Sequence, residues 1–283
     1  MKQLFQESPV SFASISNAAR EEHLAILSGS TLQHDHTDVL GVSVSAIDME
    51  QAVRLTDRLI SSGGSGYICV TGVHGVMEAQ SDPDFRAILN RAFINTPDGM
   101  PMSWVGRLQG FSKMRRVYGP DFMIEMCRLS VERGYRHFFY GGNEGVAELL
   151  GERLTERFPG LRVVGTYTPP FRTLNAQEEA DLIELVRDSN PHIIWVGLST
   201  PKQERFMARY LNRLNVPIMV GVGAAFDIHT GRIQDAPGWM KRSGMQWFHR
   251  LLQEPKRLSR RYLINNPKFV FKIVLQFLGL KYS

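Results

Sequence analysis

Residues 192–226 read HIIWVGLSTPKQERFMARYLNRLNVPIMVGVGAAF, and the organisation of the chain follows from them. A short apolar run, HIIWVGLS, leads into an amphipathic stretch, PKQERFMARYLNRLN, and then into a second apolar run, PIMVGVGAAF. Such runs are short for buried helices and lack the alternation of a strand with one wet face. They fit strands buried on both sides, as in a parallel sheet covered by helices on both faces. Pro201 suits the first turn of the helix between them.

The same unit recurs outward in both directions. Upstream, VLGVSVSAI (39–47) reads as a strand, and the next stretch as a helix with Asp48 as N-cap and Gly63 as its stop. GYICVTGV is a strand, and SDPDFRAILNRAF a helix opened by Ser81 with Pro83 in its first turn. GPDFMIEMCRLSVERG is a helix, HFFYGG a strand entering a glycine turn, and EGVAELLGERLTERFPG the helix after it. LRVVGTY is a strand and AQEEADLIELVRDSN a helix ended at Asn190-Pro191. The expected fold class is α/β: a Rossmann-like, mostly parallel sheet covered by helices on both faces, over residues 39–231. Residues 1–38 are polar and read as a flexible extension. Residues 232–283 form a basic, amphipathic helical appendage.

Charge divides along that last boundary. From Arg232 to Ser283 there are eleven Lys or Arg against two Asp or Glu, so the tail carries +9 and the rest −4 of the net +5. A basic tail on a slightly acidic body calls for an anionic partner: nucleic acid, anionic lipid or a diphosphate. Near the end, Lys268, Lys272 and Gln276 recur every four residues among Phe269, Phe271, Ile273, Val274, Leu275, Phe277 and Leu278. A buried helix and a helix resting on lipid both fit. The opening residues lack the apolar core of a secretory signal, and no run of about 20 apolar residues spans a bilayer. Cys69 and Cys127 lie far apart in apolar surroundings, as free buried thiols of a reducing cytoplasm do.

Ligands of such sheets sit beyond the carboxyl ends of the strands, so the residues there are the candidates. Thr71 and His74 follow the first long strand. Asp98 lies in the turn Asn95-Thr96-Pro97-Asp98-Gly99, where a carboxylate serves as a turn residue or accepts a proton from an attacking hydroxyl. Gly141 and Gly142 form a strand-to-helix turn whose N–H groups suit an anion. Tyr167 or Phe171 stacks on a base or merely packs. Lys202 and Gln203 sit in a helix first turn, where they suit a phosphate or a sugar hydroxyl. Gly223 and Asp227 end a glycine-rich strand, where a carboxylate can bond a ribose. In the tail, Arg257 and Arg260 share a helix face, and Pro255 separates them from Arg250. Asp82-Pro83-Asp84 has the letters of a metal-binding Asp-x-Asp, but at a helix start capping explains it.

Taken in order, TPDGMPMSWVGRLQG, RVYGPDFM, FFYGGNEGVAELL, VGLSTPKQERFM, GVGAAFDIHTGRIQDAPGWM and WFHRLLQEPKRLSRRY resemble the WecG/TagA/CpsF glycosyltransferases over roughly residues 39–265. The resemblance implies an inverting enzyme moving a sugar from a UDP-sugar to a polyprenyl-diphosphate-linked saccharide. The products of such enzymes are exopolysaccharides, capsules or cell-wall polymers. It implies Asp98 as base and Thr71, Gln203, Arg250, Arg257 and Arg260 as further catalytic residues. The donor nucleotide would lie near Asp227, Gly141, Gly142, Tyr167, Lys202 and Gly223, and His74 and Thr71 would face the acceptor sugar. No metal or other cofactor is expected, and no nucleic acid. The enzyme would work in the cytoplasm, peripherally on the inner face of the membrane, with the C-terminal segment on anionic lipid. One departure stands in the first segment: Val73 occupies a place where many members carry Asn, and His74 follows it, so an N-acetylmannosamine donor is not assumed. An NAD-type oxidoreductase is disfavoured by the missing Gly-x-Gly-x-x-Gly. A non-catalytic adaptor would leave the polar residues at the strand ends without a purpose.

Overall fold

The computed structural model describes residues 32–281, nearly all of them in the unit that begins at His34. Most of the expected N-terminal extension lies outside the described residues. The stretch read as one strand over 39–47 is instead a hairpin of β1 (His36–Val39) and β2 (Val42–Ser45). Leu40 and Gly41 turn between them with φ of +54° and +80°, the left-handed pair that a tight two-residue hairpin needs. Leu40 is fully buried, so the packing of its side chain offsets the strain of that backbone.

The main sheet has β3 (Gly66–Thr71), β4 (Ile94–Pro97), β5 (Arg136–Gly141), β6 (Arg162–Tyr167), β7 (Ile193–Gly197) and β8 (Ile218–Gly221), in the order β4-β3-β8-β7-β5-β6. Every pairing is parallel. The stretch around residues 192–226 thus supplies the two central strands, and Trp195, Val196 and Met219 within it are fully buried. Burial on both faces is why these strands are continuously apolar.

One face carries α1 (Met49–Ser61), α5 (Gly119–Arg133), α6 (Val146–Arg157) and the short α9 (Ala225–His229), packed in contact with one another. The other carries α3 (Pro83–Asn90), α7 (Ala176–Ser189) and α8 (Lys202–Leu214). The caps follow local chemistry. Asp48 accepts from Gln51 N–H at 2.9 Å while Gln51 reaches back, a reciprocal capping box. Asp82, not Ser81, caps α3, accepting from Phe85 N–H at 2.9 Å. Ala225 and Phe226, read as the end of a strand, instead open α9, and two further helices escaped the sequence reading: α2 (Val73–Ser81) and α4 (Met100–Leu108). Both start directly at a strand end, with no polar cap to announce them. Cys69 and Cys127 are buried free thiols, and burial pushes the Cys127 thiol up to about 12.

Three helices complete the chain: α10 (Gly238–Arg242), α11 (Gln246–Gln253) and α12 (Pro255–Phe277). Pro255 occupies the first turn of α12, and the helix continues through Pro267 for 23 residues. It buries Phe269 and Ile273 against α2, and Gln276 ties it to the hairpin by accepting from Leu40 N–H at 3.0 Å and donating to Asp38 O at 2.9 Å. Leu263, Val270, Phe271 and Leu278 remain exposed. Among the described residues no helix is long and apolar enough to cross a membrane.

Glycine is required where β5 meets β7. Gly141 has φ +120°, and a Cβ there would stand 2.8 Å from the backbone of Gly197. Gly141→Ala should lower the unfolding free energy by about 2 kcal/mol or more, the scale of a strained backbone plus a clash. Urea denaturation of the two proteins measures this, and an unchanged midpoint would contradict it.

Candidate functional site

The site is built where β3 and β4 end together. Asp98 N–H donates to the Thr71 carbonyl at 3.0 Å, which continues the parallel ladder by one step. Gly99 then turns the chain into α4 with φ +84°. The Asp98 carboxylate is thereby held at the carboxyl edge of the sheet, beside Gly72, where a Cβ would come within 3.2 Å of Asp98 O.

Two cavities open there. One, of about 370 Å³, is polar and is lined among others by Gly142, Lys202, Gln203, Gly223, Asp227 and Arg257. The other, of about 650 Å³, is mainly apolar, between Val73 and His74 of α2, Trp104 of α4, and Phe269 and Val270 of α12. Asp98, Tyr118, Thr200 and Arg250 line both.

Opposing effects act on Asp98. Burial pushes its carboxyl above the ordinary aspartate range, and Arg116, the Gly99 N–H and Arg250 pull the other way without cancelling it. Arg116 Nε and a terminal nitrogen both reach Asp98 Oδ1 at 3.4 Å. Thr71, in the apolar cavity, is almost wholly buried, and its hydroxyl has no hydrogen-bond partner among the described residues. His74 faces the same cavity, 3.7 Å from Glu78.

The arginines converge through the proline break rather than along one helix face. Glu254, at the α11–α12 junction, accepts from Arg250 at 2.9 Å and from Arg257 at 2.7 Å. Arg250 lines both cavities, and its Nε is buried without a hydrogen-bond partner among the described residues. Arg260, expected beside Arg257, is exposed and lines neither cavity, because one turn of helix carries it away from the pocket mouth.

Gln203 is placed differently from a residue that touches substrate. It is 2 % exposed, its Oε1 accepts from Gly223 N–H at 3.0 Å, and its amide nitrogen donates to Glu204 at 3.0 Å. It pins the Gly223 loop to α8. Lys202 and Asp227 line the polar cavity, Asp227 lying 3.6 Å from Arg232. The expected anion turn differs too. Gly142 lines the polar cavity, but its N–H donates to Gly197 O at 3.1 Å, and Gly141 serves the contact between strands. Tyr167 stacks on Tyr140 with centroids 5.6 Å apart and lines neither cavity; the exposed Phe171 lines the polar one. Asp82, with its cap role, pairs with Arg205, and among the described residues no cluster of His, Cys, Asp or Glu is arranged to hold a metal.

Sequence reading passed over Arg116, Tyr118, Trp104 and Gln246, which all line the apolar cavity. Arg116 and Tyr118 stand in RVYGPDFM, where the basic residue just before a helix start was the available signal. Gln246 and Trp104 carried none.

A polar and an apolar cavity thus meet at one carboxylate, at the carboxyl edge of a parallel α/β sheet. The chain belongs to the family described as Glycosyl transferase WecG/TagA/CpsF, whose profile matches residues 37–282. It is a glycosyltransferase. Among its relatives is the N-acetylglucosaminyldiphosphoundecaprenol N-acetyl-beta-D-mannosaminyltransferase of Bacillus spizizenii, 28% identical over 197 residues, covering 70% of this chain and 74% of the relative. The Bacillus subtilis protein of the same name is 26% identical over 196 residues, covering 69% of this chain and 74% of the relative.

Gln203→Met should keep the side-chain volume while leaving the Gly223 N–H and the Glu204 carboxylate each short of a partner. A loss of about 1–3 kcal/mol is expected. Chemical denaturation checks it, and a variant as stable as the parent would remove the pinning role.

Proposed function

We propose that this chain transfers a sugar, with inversion, from a UDP-sugar to a saccharide carried on a polyprenyl diphosphate. The reaction takes place at the cytoplasmic face of the membrane during synthesis of an exopolysaccharide, capsule or cell-wall polymer. The observation that carries the reading is the meeting of the polar and apolar cavities at Asp98 and Arg250. The named relatives act on a diphosphoundecaprenol-linked sugar, which fits an apolar cavity beside a polar one.

In this reading the polar cavity takes the donor. Asp227 and Gly223 meet the nucleoside, Phe171 offers a ring to the base, and Lys202, Arg250 and Arg257 face the diphosphate. The sugar lies at the junction of the cavities. Asp98 removes the proton from the acceptor hydroxyl, which attacks the anomeric carbon from the side opposite UDP in one displacement. Charge growing on the leaving UDP is stabilised by guanidinium groups already in place, with no metal required. The acceptor saccharide lies toward Thr71 and His74, with its lipid carrier toward Trp104, Val270 and Val274. Exposed Trp247, Phe248, Leu263 and Phe271, on the basic tail, rest on anionic lipid.

A raised carboxyl pKa has two consequences. As a base, Asp98 must be ionised, so kcat/KM should fall on the acid side beginning at a higher pH than an ordinary aspartate would give. For stability, a carboxyl whose folded pKa is raised contributes at low pH, and that contribution is lost as pH rises through the folded value. At neutral pH the ionised form is therefore a cost that a neutral amide removes. Asp98→Asn should lower turnover about 10²–10⁴-fold, bind UDP nearly as well as the parent, and melt at the same or a higher temperature. Transfer assays with a panel of UDP-sugars and a lipid-diphosphate acceptor, with calorimetry for UDP, test this. A near-parental rate would refute the assignment of the base.

A further inference from the structure

The segment GRIQDAPGWM supplies no lining residue to either cavity, yet Asp235 within it lies at the centre of a polar cluster. Tyr118 donates its hydroxyl to Asp235 Oδ1 at 3.1 Å, and the same oxygen takes the Ala236 N–H at 2.8 Å. Asp235 also pairs with Lys241, which lies 5.1 Å from the Tyr118 ring centroid. Gln246, the first residue of α11, points its amide nitrogen at Asp235 Oδ1 from 3.4 Å and accepts from Arg116 through its oxygen. The Arg116 guanidinium lies over the ring of Tyr118, 4.1 Å from its centroid. Arg116 is thus held by an aromatic face and an amide oxygen, each tied to Asp235, and its Nε and the terminal nitrogen hydrogen-bonded to Gln246 meet Asp98, both at 3.4 Å.

That last contact is long for a charged hydrogen bond, so a small displacement of Arg116 makes or loses it. The backbone around Arg116 is fixed by bonds from Arg115 N–H to Ile47 O and from Val117 N–H to Pro97 O, and among the described residues the side-chain partner of Arg116 besides Tyr118 and Asp98 is Gln246, beyond residue 231. We propose that Asp235 and Gln246 are positioning residues that hold Arg116 against Asp98 and so keep the base competent. The proposal rests on the reading of Asp98 as the base. Asp235 lines neither cavity, and Gln246 lines only the apolar one, so both leave the donor pocket intact.

Other charged and titratable groups face Asp98. Arg250 approaches from α11 and Tyr118 from the start of α5, while His74 of α2 and Glu204 of α8 line the same cavity. Lys241 lines the cavity as well and loses its carboxylate partner Asp235 in both Asp235 variants. Asp235→Ala and Asp235→Asn remove the same charge and Gln246→Ala removes none, so the difference between the two Asp235 variants, together with Gln246→Ala, reports the placement of Arg116.

The test uses the full chain with Asp235→Ala, Asp235→Asn and Gln246→Ala. Gln253→Ala is the structural control. Gln253 docks the same helix by bonding both the N–H and the carbonyl of Gln234, at 3.0 and 2.9 Å, without touching Arg116. The expected result for Asp235→Ala and Gln246→Ala is a fall in kcat of about tenfold or more, within the range of about 10² that misplaced reacting groups cost. The acid limb of kcat/KM should move to higher pH, with UDP affinity unchanged. Asp235→Asn, which keeps an oxygen for Tyr118 and Gln246, should restore the limb toward the parent's. Gln253→Ala should lower stability and leave the limb where it is. The same order is expected for the titration of the Asp98 carboxyl carbon followed by NMR in protein labelled with ¹³C at aspartate. A parental limb in folded Asp235→Ala and Gln246→Ala, or an equal shift in Gln253→Ala, overturns the proposal. Absence of any sugar transfer by the parent would instead sink the reading of the reaction, and the carboxyl titration would still decide whether Asp235 and Gln246 place Arg116.

Discussion

The structure depends on a short parallel ladder. β3 and β4 run side by side, and their last bond, from Asp98 N–H to the Thr71 carbonyl, ends the pairing with a carboxylate at the sheet's carboxyl edge. A turn residue in an exposed loop would be solvated and mobile. Here the backbone on one side of Asp98 belongs to a buried strand, and on the other a left-handed glycine starts α4 at once. The position of the charge is therefore set by the sheet, which the proposed role as base requires if it is to meet a hydroxyl at hydrogen-bond distance.

Rigidity comes with partial desolvation. The site answers with guanidinium groups placed at a distance: Arg116 at 3.4 Å, and Arg250, whose ion pair goes to Glu254 rather than to Asp98. A tight bidentate pair would hold the carboxyl ionised but leave it a poor proton acceptor. A looser surround leaves burial in control of the direction of the shift. Arg250 and Arg257 both line the polar cavity, where the proposed reaction puts a diphosphate.

The C-terminal helices join these two aspects to the surface. The break at Pro255 bends α12 away from α11, which lets Arg250 and Arg257 share Glu254 and face one cavity. Beyond the break, Phe269 and Ile273 close the apolar cavity against α2, Val270 lines its mouth, and Leu263 and Phe271 face outward. A single amphipathic helix thus walls the site and offers apolar surface to the surroundings. The buried-helix reading of the tail holds for Phe269 and Ile273, and the opposite face is the one the proposed contact with lipid would use.

Periodicity alone determined much of this protein. Unbroken apolar runs at 193–197 and 218–221 required strands buried on both faces, and amphipathic spacing required the helices between them. Placement after strands pointed to Thr71, Asp98, Lys202, Gly223 and Asp227, because a parallel sheet brings all its carboxyl ends to one edge. That rule assigns an edge and no more. It does not tell Gln203, whose amide is spent inside the fold, from Lys202 beside it, or Tyr167, stacked on Tyr140, from Phe171 four residues on. Nor does it foresee that Gly142 has already given its N–H to Gly197. Arg116, Asp235 and Gln246 are far apart in the chain and have no periodicity in common. Their association arises from contacts of Lys241 in α10 and Gln246 in α11 with Asp235 and with Arg116 and Tyr118 ahead of α5, contacts between distant segments that no local pattern of side chains encodes.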